Sequence, residues 1–365
     1  MPKTIVMIAR DAAPSRAFQK LEPVLRERGY EVGMIVGDGN LLIQSDGEIV
    51  SAVKGSNLVL LGMSSPAENA EPEILAGKNA RALGIPYGFY GDRADCWNRK
   101  WFHDLATDAS FYFGPNEVSV EGAKAVFPKA KLFATGNPLY EAMAFPEFTR
   151  EQVREKLGIQ PDEKLILAPG GRFSGGGDII SWTLIMEALA SLTEEGHKFQ
   201  LAMTPHPGDS MLFAVDSRNL EKKLNPYEEL VKLSPVPARM VYKAEMPSSH
   251  VLVGTDLVIQ FGSSLGREAA CQRIPVITLG FNTLFNYWKS EAGSDRPDEL
   301  SEGFSELVDR ANISELASMI DWLLSSDGFA ELKSKQELSL PVPAEQGATI
   351  KNMVEALETV LASRA

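Results

Sequence analysis

Histidine and cysteine are scarce in this chain, and neither is grouped. Its 365 residues hold four histidines and two cysteines. Cys96 and Cys271 stand far apart, and no Cys/His or His-x-x-x-His spacing occurs. That pattern excludes a disulfide framework, gives no metal signature, and reads as two reduced thiols of a cytoplasmic protein. Long apolar runs are missing too: none reaches the about 20 residues needed to cross a bilayer. The opening MPKTIVMIARDAAPS lacks the apolar core and cleavage site of a signal peptide and reads as a first strand. Basic residues are outnumbered 36 to 49, for a net charge of −13, with the acids scattered rather than blocked. This disfavours a nucleic-acid backbone as the main ligand, although a local basic cleft for a small phosphate is compatible with it.

What is present is an alternation of short apolar strands with helical spacing. Strands are expected at 3–9, 31–37, 57–63, 85–91, 109–114 and 131–136, with helices at 15–29 and 68–83 between them. Asp46-Gly47, between LLIQS and EIVSAV, suggests a hairpin. Around 137–163 two prolines, a short charged helix and a Pro-Asp turn break the rhythm. It then restarts with strands at 164–171, 199–207, 238–244, 256–262 and 275–280. Helices are expected at 179–195, 227–234, 265–273 and, at the tail, 346–364. Strands alternating with helices imply parallel, doubly wound sheets. The expected fold class is therefore α/β, with two Rossmann-like domains: 1–145 together with a final helix at 346–365, and 150–340.

Ligands of such sheets bind outside the carboxyl ends of the strands. In TDLVIQFGSSLGREAAC (255–271), a strand runs into a small, hydroxyl-rich turn and a helix start. Ser263, Ser264 and Gly266 there suit a phosphate, and Glu268 suits the two hydroxyls of a ribose; the alternative is a plain strand–helix turn with an exposed acid. APGGRFSGGGDI (168–179) resembles an anion-binding loop, with Gly171 and the bidentate donor Arg172, or else a surface loop. It is neither a P-loop nor a dinucleotide fingerprint. His206, between two prolines after a strand, is a candidate ligand contact or a structural histidine. After the first strand, Arg10 could hold an anion and Asp11 could act as a general base. GDRADCWNRKW (91–101) adds Asp92, Asp95 and Arg99 at another strand end. Tyr242 opens YKAEMPSSH (242–250), a candidate lining for a base pocket.

Two longer stretches resemble the UDP-N-acetylglucosamine 2-epimerases. FGPNEVSVEGAKAVFPKAKLFATGNPLYEAM is similar to the segment in which a "TGNP" turn leads out of the first domain, and SSLGREAACQRIPVITL to the "SGGxQEEAxxxGKPVL" segment. The order of elements is similar over nearly the whole chain and is shared with the wider two-Rossmann (GT-B) glycosyltransferases. The resemblance implies that Glu268 holds the ribose of UDP, with Ser263 and Ser264 near the phosphates, and that Arg10 matches an early arginine of the family. The departures fall on the acid/base groups. Met63 stands where the family has Asp, Tyr90 where it has Glu, Cys96 or Trp97 where it has a further Glu, and Gly171 where it has His; Asn98, Arg99 and Arg172 are kept. Met, Tyr and Gly cannot move protons as carboxylates and imidazole do.

The sequence is therefore read as a metal-independent glycosyltransferase that moves a sugar from a nucleotide sugar, expected to be a UDP-sugar, to an acceptor hydroxyl. Asp11 is the first choice of base, with Asp92 and Asp95 behind it. The alternatives are a divergent 2-epimerase-like isomerase and a non-catalytic sugar-nucleotide binder. No cofactor is expected, since the nucleotide sugar is substrate. The expected partners are that donor and the acceptor, not nucleic acid; peripheral membrane contact and oligomerisation are left open.

Overall fold

The computed structural model describes residues 2–37, 45–171, 176–206, 226–260, 263–280, 300 and 302–363. The chain forms two compact units, Met1–Ala142 with Pro341–Ala365, and Met143–Leu340. Each is built on a six-stranded parallel sheet.

In the first unit the strands are β1 (Thr4–Ala9), β2 (Glu31–Val36), β3 (Leu58–Gly62), β4 (Tyr87–Tyr90), β5 (Phe111–Gly114) and β6 (Lys131–Ala134), in spatial order 2-1-3-4-5-6. The crossovers include α1 (Ala12–Glu27), α2 (Asp46–Lys54), α3 (Glu71–Leu83), the single turn α4 (His103–Ala106) and α5 (Glu117–Ala123). These strands are short and almost wholly apolar because helices cover both faces of the sheet. Val6, Ile8, Val59, Leu61, Phe89 and Tyr112 pack to one side. Ile5, Met7, Leu58, Leu60, Phe111 and Phe113 pack to the other, against Phe18 and Leu21 of α1. The second face is completed by the last helix of the chain, whose Met353, Val354 and Leu357 are fully buried. Each such side chain contributes about 2 kcal/mol relative to an exposed one.

The second unit holds β7 (Lys164–Pro169), β8 (Phe199–Thr204), β9 (Ala238–Met240), β10 (Leu257–Gln260), β11 (Val276–Leu279) and β12 (Glu306–Val308), in spatial order 12-11-10-7-8-9. Helix α6 (Pro138–Ala144) leads into it. There follow α7 (Arg150–Leu157), α8 (Gly176–Glu194), α9 (Pro226–Lys232), α10 (Ser248–Val253), α11 (Leu265–Cys271), α12 (Ile313–Leu324) and α13 (Ser326–Ser339). Helix α14 (Ala348–Ala362) returns to the first unit.

The hairpin expected around Asp46-Gly47 does not form. Ser45 caps a helix instead: its hydroxyl accepts the Glu48 amide at 3.4 Å, and its own amide donates to Glu48 Oε2 at 2.7 Å. Ser-Asp-Gly-Glu is thus a capping box that places Asp46 and Gly47 in a first helical turn. Residues 41–44, the first half of the supposed hairpin, lie outside the described residues. The segment 300–340, given no elements in the sequence reading, carries β12, α12 and α13.

Strand order sets where each unit can bind. In the second sheet the order reverses between β7 and β10, as in a dinucleotide-binding Rossmann sheet; in the first it reverses between β1 and β3, as in the flavodoxin-like arrangement. At each reversal the flanking crossovers leave to opposite faces, which opens a crevice at the carboxyl ends of those two strands.

Candidate functional site

At the carboxyl end of β7, which borders both β8 and the reversal to β10, the backbone is tightly tied. Gly170 donates its amide to Thr204 O at 2.7 Å, and Gly171 donates to Asp178 Oδ1 at 3.0 Å. Asp178, in the first turn of α8, is buried. A Cβ at Gly170 would lie 2.9 Å from the His206 amide nitrogen and 3.0 Å from Asp178 Oδ2, so only glycine lets the ends of β7 and β8 come together there. The Gly171 amide is committed to Asp178 rather than open to a ligand. His206 is half-buried beside this turn. Arg172 and Gly262 lie outside the described residues.

The β10 side is anchored by a buried amide. Gln260 accepts the Ser263 amide at 2.6 Å and donates to Thr278 Oγ1 at 2.9 Å, which lies 2.7 Å from Ser305 Oγ. Gly266 sits over the Gln260 side chain, with Ser264 exposed at the turn. This chain of hydrogen bonds fixes the Ser263–Gly266 turn to the strand. Arg267 faces away: it grips Glu302 with both terminal nitrogens, at 2.8 and 3.0 Å.

Glu268 differs from its neighbours. Among the described residues no donor or cation pairs with its carboxylate. Burial alone lifts its pKa from 4.5 to about 7. A desolvated carboxylate without a partner costs stability, so its presence needs another reason. Tyr242 donates its hydroxyl to Glu228 Oε1 at 2.5 Å, which ties the end of β9 to α9.

At the β1/β3 reversal of the first unit the structure assembles a second polar cluster. Asp11 precedes α1; its Oδ2 accepts the Ser65 amide at 2.6 Å and its Oδ1 accepts Asn69 Nδ2 at 3.2 Å. Burial raises its pKa, opposed by those two bonds and by the charge of Arg99. Arg10 donates from Nη1 to Glu68 O at 3.0 Å. Behind them stands Glu73, which is 0% exposed. Its Oε1 accepts the Arg10 amide at 3.1 Å and the Ser64 hydroxyl, and the same hydroxyl accepts the Asp11 amide at 2.9 Å. Burial pushes the Glu73 pKa up to about 7. Gly62 makes the crowding tolerable, since a Cβ there would lie 2.8 Å from the Ala9 Cβ and 3.1 Å from Pro14.

Beside this cluster, at the end of β4, Asp92 accepts from the Cys96 thiol at 3.2 Å and lies 3.8 Å from Arg99 Nη1. Its backbone oxygen accepts from Asn137 at 2.7 Å and from Tyr140 at 3.2 Å. Cys96 is fully buried and its thiol is held well above the ordinary range, first by burial and then by Asp92, so it remains a neutral donor.

Of the candidate residues, the structure groups Asp11, Asp92 and Arg99 within electrostatic reach of one another, with Arg10 next to Asp11. Asp95 stands apart, its side chain 64% exposed and paired with Arg93 at 3.4 Å. Met63 is in the core, and Tyr90 is fully buried with its ring 5.7 Å from Phe18. Glu73, Ser64 and Asp178 escaped the sequence reading. A Glu in the first turn of a helix ordinarily complements the helix dipole in solvent; only the Ser64-Ser65 pair directly after a strand hinted otherwise. Among the described residues no three His, Cys, Asp or Glu side chains converge on a metal site, and no helix is long and apolar enough to cross a membrane.

Comparison of the sequence with protein-family models and with curated proteins returns no match. Solved structures do resemble it. A Listeria monocytogenes protein assigned as a UDP-N-acetylglucosamine 2-epimerase superposes with a TM-score of 0.62 at 14% identity, over 100% of this chain and 98% of the other. The UDP-GlcNAc 2-epimerase of Neisseria meningitidis, bound to UDP-GlcNAc, gives 0.58 at 16% identity, over 98% and 100% of the two chains. A glycosyltransferase from Rickettsia africae gives 0.57 at 13% identity, over 99% of each. Identities this low establish the architecture and not the reaction. Two parallel sheets with these strand orders, matched from end to end by epimerases and glycosyltransferases alike, give this chain the two-Rossmann GT-B fold of the UDP-GlcNAc 2-epimerase type.

Proposed function

We propose that the protein is a glycosyltransferase that takes a sugar from a nucleotide sugar, with UDP as the favoured nucleotide, and passes it to an acceptor hydroxyl. The observation that carries this reading is Glu268: a mostly buried carboxylate without a partner among the described residues, at the carboxyl-end reversal of a Rossmann-ordered sheet. Two ribose hydroxyls would supply the donors it lacks. Ser263 and Ser264 bring hydroxyls to the diphosphate, and Arg172 brings a bidentate charge, so that negative charge developing on the leaving group is stabilised. His206 and the 242–250 segment border the donor.

In the first unit, Asp11 takes the proton of the acceptor hydroxyl as it attacks the anomeric carbon. Burial makes Asp11 a stronger base than an exposed aspartate, and its two hydrogen bonds hold it in place. Arg10 and Arg99 lie beside it to orient anionic parts of the substrates. Met63 and Tyr90 are fully buried and neither is a carboxylate, which favours transfer over an isomerisation that would need carboxylates at those positions.

The test is incubation with a panel of UDP-sugars, with and without candidate acceptors. UDP release that requires an acceptor is the expected outcome. Epimer formation without acceptor would replace the transferase reading by the isomerase one, and binding without turnover would leave only a sugar-nucleotide binder.

A further inference from the structure

The amino edge of the second sheet carries a cavity of about 410 Å³ that the proposed reaction does not use. It lies wholly within the 143–340 unit, where β7, β10 and β11 begin, at the opposite end of those strands from Glu268. Arg150, Lys164 and Arg273 give its wall three positive charges. Asp256 is the acid in that wall, and it is overcommitted. It lies 2.7 Å from Arg150, 3.8 Å from Lys164 and 3.0 Å from Arg154. One carboxylate cannot neutralise three cations. Arg273 adds a charge that donates to the carbonyl oxygens of Ala270, Gln336 and Leu340, at 2.9, 3.3 and 3.0 Å, with no salt bridge among the described residues, although the charge of Glu337 acts on it. On a chain of net charge −13 this pocket reverses the local sign. The rest of the lining is mostly apolar, with Ile274, Leu324 and a 38% exposed Phe329 beside the polar Thr255 and Gln272.

Arg273 is unusual in its backbone as well. It follows α11 with φ at 60°, and among the described residues it is the only non-glycine in the left-handed region. Ile274 donates to Ala269 O at 2.9 Å and Arg273 to Ala270 O at 3.1 Å, a helix end where glycine is the ordinary choice. A side chain there costs about 1 kcal/mol. The chain accepts that cost and thereby gains a guanidinium that ties α11 to α13 and lines the cavity.

We propose that this cavity is a second binding site, for an oxyanion (phosphate or carboxylate) carried on a small apolar group such as an aromatic ring. The surplus of cations takes the oxyanion, and the Ile274–Leu324–Phe329 surface takes the apolar part. The volume falls within the about 300–1,000 Å³ of small-molecule sites.

Isothermal titration of the full chain with phenyl phosphate and with benzoate tests this, with inorganic phosphate and benzyl alcohol as half-probes. At least one of the two complete probes should bind one site, tenfold or more tighter than either half-probe. Lys164→Ala and Phe329→Ala alter half-exposed side chains and should leave the circular dichroism unchanged, while each weakens the complete probe fivefold or more. Saturating UDP should not displace it. Failure of both complete probes to bind, equal binding by both variants, or competition by UDP would overturn the second site. None of these readouts depends on sugar transfer.

Discussion

Ser64 donates its hydroxyl to the buried carboxylate of Glu73 and accepts the amide of Asp11 with the same oxygen, at 2.9 Å. The carboxylate thus holds, through one serine, the backbone of the residue proposed as the base. Because burial raises the Glu73 pKa from 4.5 to about 7, the proton is bound more tightly in the folded chain than in the unfolded one. Stability from this group is therefore fully present below about pH 4.5 and is lost as pH rises through about 7, by roughly 3 kcal/mol. Glu73→Gln keeps an acceptor for Ser64 and Arg10 and removes the charge. Urea denaturation at pH 5 and pH 8 should show a smaller drop for Glu73→Gln than for the parent. Glu73→Ala removes the acceptor of the Ser64 hydroxyl and should cost about 3 kcal/mol at pH 5, and markedly less at pH 8, where the parent has itself lost stability through this group.

Glu268 should separate binding from stability. Its carboxylate has no stabilising partner among the described residues, so Glu268→Gln should leave stability at pH 8 unchanged or raised. The same substitution removes a charged acceptor from the ribose, worth about 1.5–3 kcal/mol, and should weaken UDP binding roughly 10- to 100-fold. Calorimetry for affinity and urea melts for stability read the two effects independently. Undiminished UDP affinity would remove the basis of the donor-site assignment.

If Asp11 is the acceptor base, Asp11→Asn should lower kcat by about 10²- to 10⁴-fold with little change in KM for the donor. Since burial raises the pKa of Asp11, the acid limb of the rate profile should lie above the about 3.9 of an ordinary aspartate. A kcat profile flat through that range would point to another base, with Asp92 next in line.

Gly62 permits the β1/β3 crevice to close up. A methyl at this position would lie 2.8 Å from the Ala9 Cβ and 3.1 Å from Pro14 at the start of α1. Gly62→Ala should destabilise by about 1–3 kcal/mol through overpacking. A thermal melt at the parent's midpoint would reject this account.

Much of the architecture is determined by local sequence. TIVMIA, LVLLG, KLILAP and LVIQ are short apolar runs bounded by turn residues, and each became a buried parallel strand because helices cover both faces. The tail helix followed from its own apolar spacing at Met353, Val354 and Leu357. The place of Glu268 at the end of β10 was also legible, since strand-to-helix turns are marked by small residues. The hairpin reading failed at Ser45–Glu48 because Asp-Gly marks a hairpin or a helix start equally well, and the capping serine decided between them.

Tertiary structure alone decided which polar side chains lose their water. Glu73 and Glu121 are both glutamates on helices of the first unit, yet one is sealed behind Ser64 and the other meets Lys124 in solvent. Asp92 and Asp95 lie three positions apart and part in the same way. The reversal of strand order that brings Asp11 to Ser65, and the β7–β8 pairing that sets Gly170 beside His206, join residues distant in sequence. Desolvation depends on everything packed around a group, and a linear sequence does not carry that list of neighbours; it specifies which strands form, while their order in the sheet specifies which acids are buried.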